Sequence, residues 1–201
     1  KATCACGYEK DSETLTAAGH DYVDGICSNC GGFDPDVEPD ASGTCGENVY
    51  WRLDGNTLTI YGEGEIDDYP RYPPWVSYSD SVLKGVITEG ITRIGDYAFG
   101  YCSSLTEISI PGSVASIGSY AFSNCYNLIS ISIPNSVTSI GDCVFLACSS
   151  LIAIEVDAEN AYYSSESGIL FNKQKTELFQ CPSRFVGNYT VPNSVTSISD
   201  C

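Results

Sequence analysis

Leu105-Thr-Glu-Ile-Ser-Ile-Pro-Gly-Ser-Val-Ala-Ser-Ile-Gly-Ser-Tyr-Ala-Phe-Ser-Asn-Cys125 returns 23 residues later as Leu128-Ile-Ser-Ile-Ser-Ile-Pro-Asn-Ser-Val-Thr-Ser-Ile-Gly-Asp-Cys-Val-Phe-Leu-Ala-Cys148. Self-similarity at a fixed period of this length is the mark of a repeat architecture. One period back, Ile87, Ile91, Ile94, Gly95, Ala98, Phe99 and Cys102 stand in the matching places. One period forward the match fails and then returns. The run from Val191 to Ile198 lies 58 residues after its counterpart at Ile133, one period of 23 plus one of 35. The additional 12 residues fall in segment 151–185.

Within a repeat, Ile108 and Ile110 alternate with Glu107 and Ser109 after Leu105, which reads as a short strand with one buried face. Val114 and Ile117 form a second extended piece. Gly118 is expected to permit the following turn, and Ala121-Phe122 with Cys125 to form a tight or helical turn that places the ring inside. One such coil cannot bury its own apolar edge, so the coils must stack around a continuous core. The predicted architecture is a solenoid of short parallel strands plus turns or short helices, period 23. Its coils cover 82–104, 105–127, 128–150, 151–185 and 186 onward, with Ile87, Ile110 and Ile133 in one parallel sheet. In the enlarged coil, Tyr162 to Phe171 and Thr176 to Phe179 flank the polar Asn172-Lys-Gln-Lys175 and predict a projecting hairpin.

Cys102, Cys125 and Cys148 should form an internal column of small buried side chains, since nothing basic stands near them to lower a thiol pKa. Cys143 and Cys201 share a register position. With coil 151–185 between them, two steps of about 4.8 Å exceed the span of about 4.4–6.8 Å between Cα atoms that a disulfide tolerates, so no bridge is expected there. The register also predicts that the protein continues beyond Cys201 with an Ala-Phe-like pair.

A solenoid end exposes core and needs a cap. Residues 45–81 are assigned to it: Val49, Trp51 and Leu53 alternate with polar partners, Asp54-Gly55 supplies a hairpin turn, and Leu58 and Ile60 alternate in return. The two tryptophans, Trp51 and Trp75, are expected as apolar plugs. Upstream, 33–44 combines acid and proline without periodicity and reads as a linker. Residues 1–32 hold Cys4, Cys6, His20, Cys27 and Cys30. Cys27 and Cys30 have the two-residue gap of a metal knuckle, and structural zinc there would use both plus two of Cys4, Cys6 and His20. Two disulfides, or free thiols, are the alternative, and a metal-content measurement separates them. No other cofactor is expected.

The net charge of −17 argues against nucleic acid or an anionic membrane as partner, and no apolar run approaches the ~18 residues of a spanning helix. Eleven cysteines, an odd number, cannot all pair within the chain.

Assembled, the motif Leu-x-x-Ile-x-Ile-Pro-x-Ser-Val-x-x-Ile-Gly-x-x-Ala-Phe-x-x-Cys resembles the BspA-like leucine-rich-repeat family of bacterial and protist surface proteins. The likeness covers 82–201. The segment from Ser42 to Gly64 is similar to the hairpin cap that precedes such arrays, and Gly19 to Gly31 to a cysteine-rich, zinc-ribbon-like module attached to them. The resemblance implies a secreted or wall-attached, non-catalytic protein that binds a protein ligand, with adhesion to host extracellular matrix or plasma proteins such as fibronectin and fibrinogen known among its members. A structural spacer shares all these features. A glycan-acting enzyme component would need a carboxylate pair, and the single histidine, His20, leaves no nucleophile in the repeats with a histidine partner.

Two surfaces are candidates for partner binding. The side chains pointing out from the strand ladder (Glu107, Ser109, Ser130, Ser132 and Glu155, with Lys84, Val86 and Ala153, then Asn188 and Thr190) form a flat strip. Tyr162 and Tyr163, which begin the enlarged coil, form the other, because insertions in a repeat fall on one face and that face often binds.

Overall fold

The structure, a computed structural model, describes residues 38–199 and the backbone of two short strands upstream. The chain divides into two units, 1–39 and 40–201. In the first, β1 (Tyr22–Val23) and β2 (Ile26–Cys27) pair antiparallel, Val23 opposite Ile26.

The second unit opens with the cap. Strands β3 (Ala41–Gly46), β4 (Val49–Asp54) and β5 (Thr57–Gly62) form an antiparallel meander. The turn joining β4 to β5 is Gly55-Asn56, with Gly55 at φ 57°, a left-handed value that glycine adopts at little cost. β3 begins inside the segment assigned to a linker. It carries no large aliphatic side chain to advertise a strand, and its Gly43 is required by packing, since a Cβ there would lie 2.8 Å from Trp51 Nε1.

From the cap the chain winds into coils. β6 (Gly64–Glu65) is followed by β7 (Lys84–Ile87) and β8 (Ile91–Ile94), β9 (Glu107–Ser109) and β10 (Ser116–Ile117), β11 (Ser130–Ile133) and β12 (Ser139–Ile140), and β13 (Ala153–Val156). Two parallel ladders result. In the first, β5 pairs with β7 and β7 with β9, Gly85 facing Ile108. β11 pairs with β13, Ile131 facing Ile154. Between β9 and β11 the Ile129 N–H still donates to Thr106 O at 3.3 Å. In the second, β6, β8, β10 and β12 lie side by side, with Ile94, Ile117 and Ile140 in register at the 23-residue step. The expected parallel stacking is therefore present, although Ile110 sits just past the end of β9.

The core lies between these ladders and a third, turn side. Val82, Leu105, Leu128 and Leu151 form one buried column and Cys102, Cys125 and Cys148 another. Phe99, Phe122 and Phe145 stack with centroids 5.4 and 5.9 Å apart, and Trp75 closes the column 5.9 Å from Phe99. Trp51 meets Trp75 edge-on at 5.8 Å, so both tryptophans plug the cap end of the core.

The turn side has a polarity of its own. Tyr97, Tyr120 and Cys143 share a left-handed φ of 56°, 58° and 49°, as do Tyr101, Asn124 and Ala147 at 67°, 60° and 60°. Gly118 is not the residue that turns the chain. It is needed because the preceding coil comes close: a Cβ would lie 2.6 Å from the Asp96 backbone nitrogen, and at Gly141 it would lie 2.5 Å from that of Ser119.

The enlarged coil departs from the projecting hairpin. It contains three antiparallel strands, β14 (Tyr163–Glu166), β15 (Ile169–Asn172) and β16 (Glu177–Gln180), and β16 pairs parallel with β17 (Ser197–Ile198). Ser167 and Gly168, at φ 54° and 78°, make the first turn. Leu170 and Tyr163 are buried in the main core, so the insertion packs onto the stack, while Ile169 and Phe171 are buried in a second small cluster with Leu178. Asn160 directs the chain into it. This fully buried amide donates from Nδ2 to the carbonyls of Pro134 and Val137, both at 2.9 Å, and accepts the N–H groups of Tyr162 and Tyr163, both at 2.8 Å. The first ladder ends at β13: Asn188 and Thr190, expected to extend it, are exposed and outside any strand.

Candidate binding surface

Every second residue of the first ladder points inward, Gly85, Ile108, Ile131 and Ile154 at one level. Their neighbours must point to solvent. The outward positions are Lys84, Glu107, Ser130 and Ala153, then Val86, Ser109, Ser132 and Glu155. Among the five predicted strip residues, Glu107, Ser109, Ser130, Ser132 and Glu155 are all exposed. Lys84 Nζ and Glu107 Oε1 are 3.5 Å apart, an exposed pair that contributes at most about 1 kcal/mol.

Beside this strip runs a row that sequence reasoning missed. Leu83, Ile129 and Ile152 are 44%, 48% and 50% exposed, one per coil, with Thr106 completing the register. Backbone bonds tie the row together: Thr106 N–H to Leu83 O and Ile152 N–H to Ile129 O, both at 2.9 Å. The signal was in the sequence. Each aliphatic residue follows a buried one, at Val82, Leu128 and Leu151, and adjacent residues of an extended chain cannot both face the core.

The tyrosine pair divides. Tyr162 is 53% exposed, but Tyr163 is 8% exposed and its hydroxyl oxygen accepts the Ile140 N–H at 2.9 Å. Tyr163 is thus removed from the contact surface expected of it, because Asn160 turns its ring toward the neighbouring coil.

The polar groups elsewhere in the array serve the stack. Asp68 Oδ1 accepts from Arg93 Nη2 at 2.6 Å and from the Asp96 N–H at 2.7 Å. That backbone bond, then Arg93, holds the Asp68 carboxyl below its ordinary value. Cys125 and Cys148 Sγ donate to the carbonyls of Phe99 and Phe122, both at 3.1 Å. Burial raises the Cys102 and Cys148 pKa to about 12, and pushes that of Cys125 well up, the reverse of what a reactive thiol or metal ligand requires. Cys143 is disulfide-bonded. Among the described residues no group of three or more His, Cys, Asp or Glu is placed to hold a metal ion. The proposed zinc ligands Cys4, Cys6, His20, Cys27 and Cys30 lie outside the described residues, apart from the backbone of Cys27 in β2. Among the described residues no helix is long and apolar enough to cross a membrane.

No curated protein matches the chain. It is similar to a crystal structure of a leucine-rich repeat protein from Eubacterium ventriosum ATCC 27560, with 26% identity and a TM-score of 0.49 over 79% of this chain and 56% of that one. It is also similar to the pneumococcal vaccine antigen PcpA, with 18% identity and a TM-score of 0.47 over 81% of this chain and 62% of that one. The chain thus spans less than two thirds of either. The family model of the BspA type leucine rich repeat region matches in six copies over residues 77–201, and the chain belongs to that family.

Proposed function

We propose that the chain is a non-catalytic binding scaffold, secreted or displayed on a bacterial surface, that holds a protein partner against the outward face of its first ladder. The observation that carries this reading is the exposed aliphatic row Leu83, Ile129 and Ile152 beside short hydroxyl side chains. Solvated aliphatic residues aligned on a rigid sheet offer apolar area at little ordering cost, and the flanking serines form a polar rim. The strip lacks Trp, Tyr and Arg, the residues that dominate tight interfaces. Its binding is therefore expected to be weak per site and strengthened by repetition.

A host extracellular matrix or plasma protein is the partner class we infer. The test is an array of such proteins and of glycans probed with the purified chain, then with the double variant Ile129→Ser, Ile152→Ser. A protein ligand whose affinity falls at least tenfold in the folded variant, about 1.4 kcal/mol, supports the reading. Unchanged affinity moves the site away from this face, and hydrolysis of any polymer in the array refutes the non-catalytic part.

A further inference from the structure

At the cap end of the turn side an exposed guanidinium is held among tyrosine rings. Arg71 Nε donates to the Tyr101 hydroxyl at 3.1 Å, and its guanidinium carbon lies 5.1 Å from the centroid of the Tyr72 ring and 5.4 Å from that of Tyr101. The two rings are 5.2 Å apart, tilted by 57°. Tyr97, in the same turn as Tyr101, stacks on Tyr120 of the next coil at 4.8 Å. Among the described residues no carboxylate lies within ion-pair distance of Arg71. Asp68, three residues before it, and Asp96, beside Tyr97, both pair with Arg93 instead. The bond to Tyr101 occupies one N–H of Arg71 and leaves its two terminal nitrogens, a planar fork that can grip both oxygens of a carboxylate.

The stack does not require these side chains. Tyr101 has a left-handed φ of 67°, a conformation that strains a bulky residue and that Asn tolerates, and the same position holds Asn124 and Ala147 in the next two coils. Arg71 and Tyr72 are exposed, Tyr72 by 50%, so neither belongs to the core. The cluster is nevertheless rigidly held. The backbone N–H groups of Tyr97 and Tyr101 donate to Ser119 O and Ser123 O at 3.1 and 2.8 Å, and that of Tyr69 to Asp96 O at 3.0 Å. Pro70, Pro73 and Pro74 restrict the backbone about Arg71 and Tyr72, and the buried Trp75 anchors the far end of the segment. A fixed group of donors and rings suits a ligand, because little ordering is lost when one binds.

Three constraints define the chemistry of that ligand. The free fork of Arg71 selects a carboxylate. The exposed tyrosine ring has a negative π face, which attracts the electron-poor C–H bonds on the flat side of a pyranose. The backbone N–H groups of Tyr97 and Tyr101 are already bonded, so an extended peptide finds no strand edge to join there. The net charge of −17 repels a polyanion and favours a ligand with a single acid group. We propose that Arg71, Tyr72 and Tyr101, with Tyr97 beside them, bind a glycan that ends in one carboxylate-bearing sugar. Its acid group lies on the terminal nitrogens of Arg71 and its ring against the exposed part of Tyr72. The site is separate from the aliphatic row.

The probes are methyl β-glucuronide and the methyl α-glycoside of N-acetylneuraminic acid, titrated into the full chain and followed by the Arg71 Nε–H and backbone amide NMR signals. The expected result is saturable shifts at Arg71, Tyr72 and Tyr101 with at least one of them. Binding should be at least about tenfold weaker for the methyl ester of that sugar, which keeps the ring and removes the charge. Arg71→Gln is expected to weaken binding at least about tenfold and Tyr72→Ala severalfold, while Ile129→Ser with Ile152→Ser leaves it unchanged. The ester keeps the test decisive whatever the variants do to folding. Absence of saturable shifts with both acids, equal affinity of acid and ester, or acetyl-Glu-amide binding as tightly as the sugar would each overturn the proposal.

Discussion

The hydroxyl oxygen of Tyr163 accepts the backbone N–H of Ile140 at 2.9 Å, joining the enlarged coil to the strand ladder that it interrupts. A side chain here satisfies a group that a neighbouring strand would otherwise take. Tyr163→Phe keeps the packed ring and leaves that N–H without its partner, a cost of about 1–2 kcal/mol. Tyr162→Ala, next to it but half exposed, is expected to stay within about 0.5 kcal/mol. Urea unfolding of the two variants checks the contrast, and equal effects would mean that the hydroxyl bond carries no stability.

Asn160 is the other fixed point of the insertion. Removing its amide leaves the Val137 carbonyl and the N–H groups of Tyr162 and Tyr163 without their partners, while the Pro134 carbonyl keeps the Val137 N–H at 3.2 Å. Asn160→Ala is expected to cost about 2–4 kcal/mol, since each buried unsatisfied group carries a desolvation penalty and water can enter to relieve part of it. Amide hydrogen exchange should show the loss concentrated at Tyr162 and Tyr163. A uniform change across all coils would show that the insertion is not separately pinned.

In the regular coils, neighbouring residues predict opposite outcomes. Phe122 is buried between Phe99 and Phe145, and Phe122→Ala should cost about 3–5 kcal/mol. Ser123 is also buried, yet its hydroxyl has no hydrogen-bond partner. Deleting an unsatisfied buried hydroxyl removes a penalty, so Ser123→Ala is expected to be neutral or to stabilise by up to about 1 kcal/mol. Thermal melts of the two variants decide it, and a clear loss for Ser123→Ala would reveal a partner for the hydroxyl.

These residues also show how far the fold could be read from the chain. Phe122 and Cys125 were placed correctly because stacking forces equivalent positions into columns, and a column appears in the sequence as a 23-residue period. Gly118 was misread since its need arises from the Asp96 backbone in another coil, and local sequence carries no trace of that approach. Tyr162 and Tyr163 look alike until Asn160 decides which one turns inward. The row at Leu83, Ile129 and Ile152 was hidden differently: it lies next to buried residues of the same type, so composition favoured the interior for both.

The thiol column links the core to pH. Cys102 and Cys148 have their pKa raised by burial to about 12, and Cys125 is raised well above its ordinary value by burial and by the thiols on either side. Folded thiols therefore hold their protons more tightly than unfolded ones, which titrate near about 8.5. Stability from this source is fully present below that value. It falls as pH rises toward about 12, because the unfolded chain releases protons that the folded chain keeps. The expected outcome is a urea midpoint that declines above about pH 9, with a shallower decline in Cys125→Ala than in the unsubstituted chain. The same burial predicts that iodoacetamide at pH 8, read by mass mapping, modifies the exposed Cys181 while sparing Cys102, Cys125 and Cys148 until urea is added. Rapid modification of Cys125 in the folded chain would show that the column opens to solvent, and the alkaline decline would then need another origin.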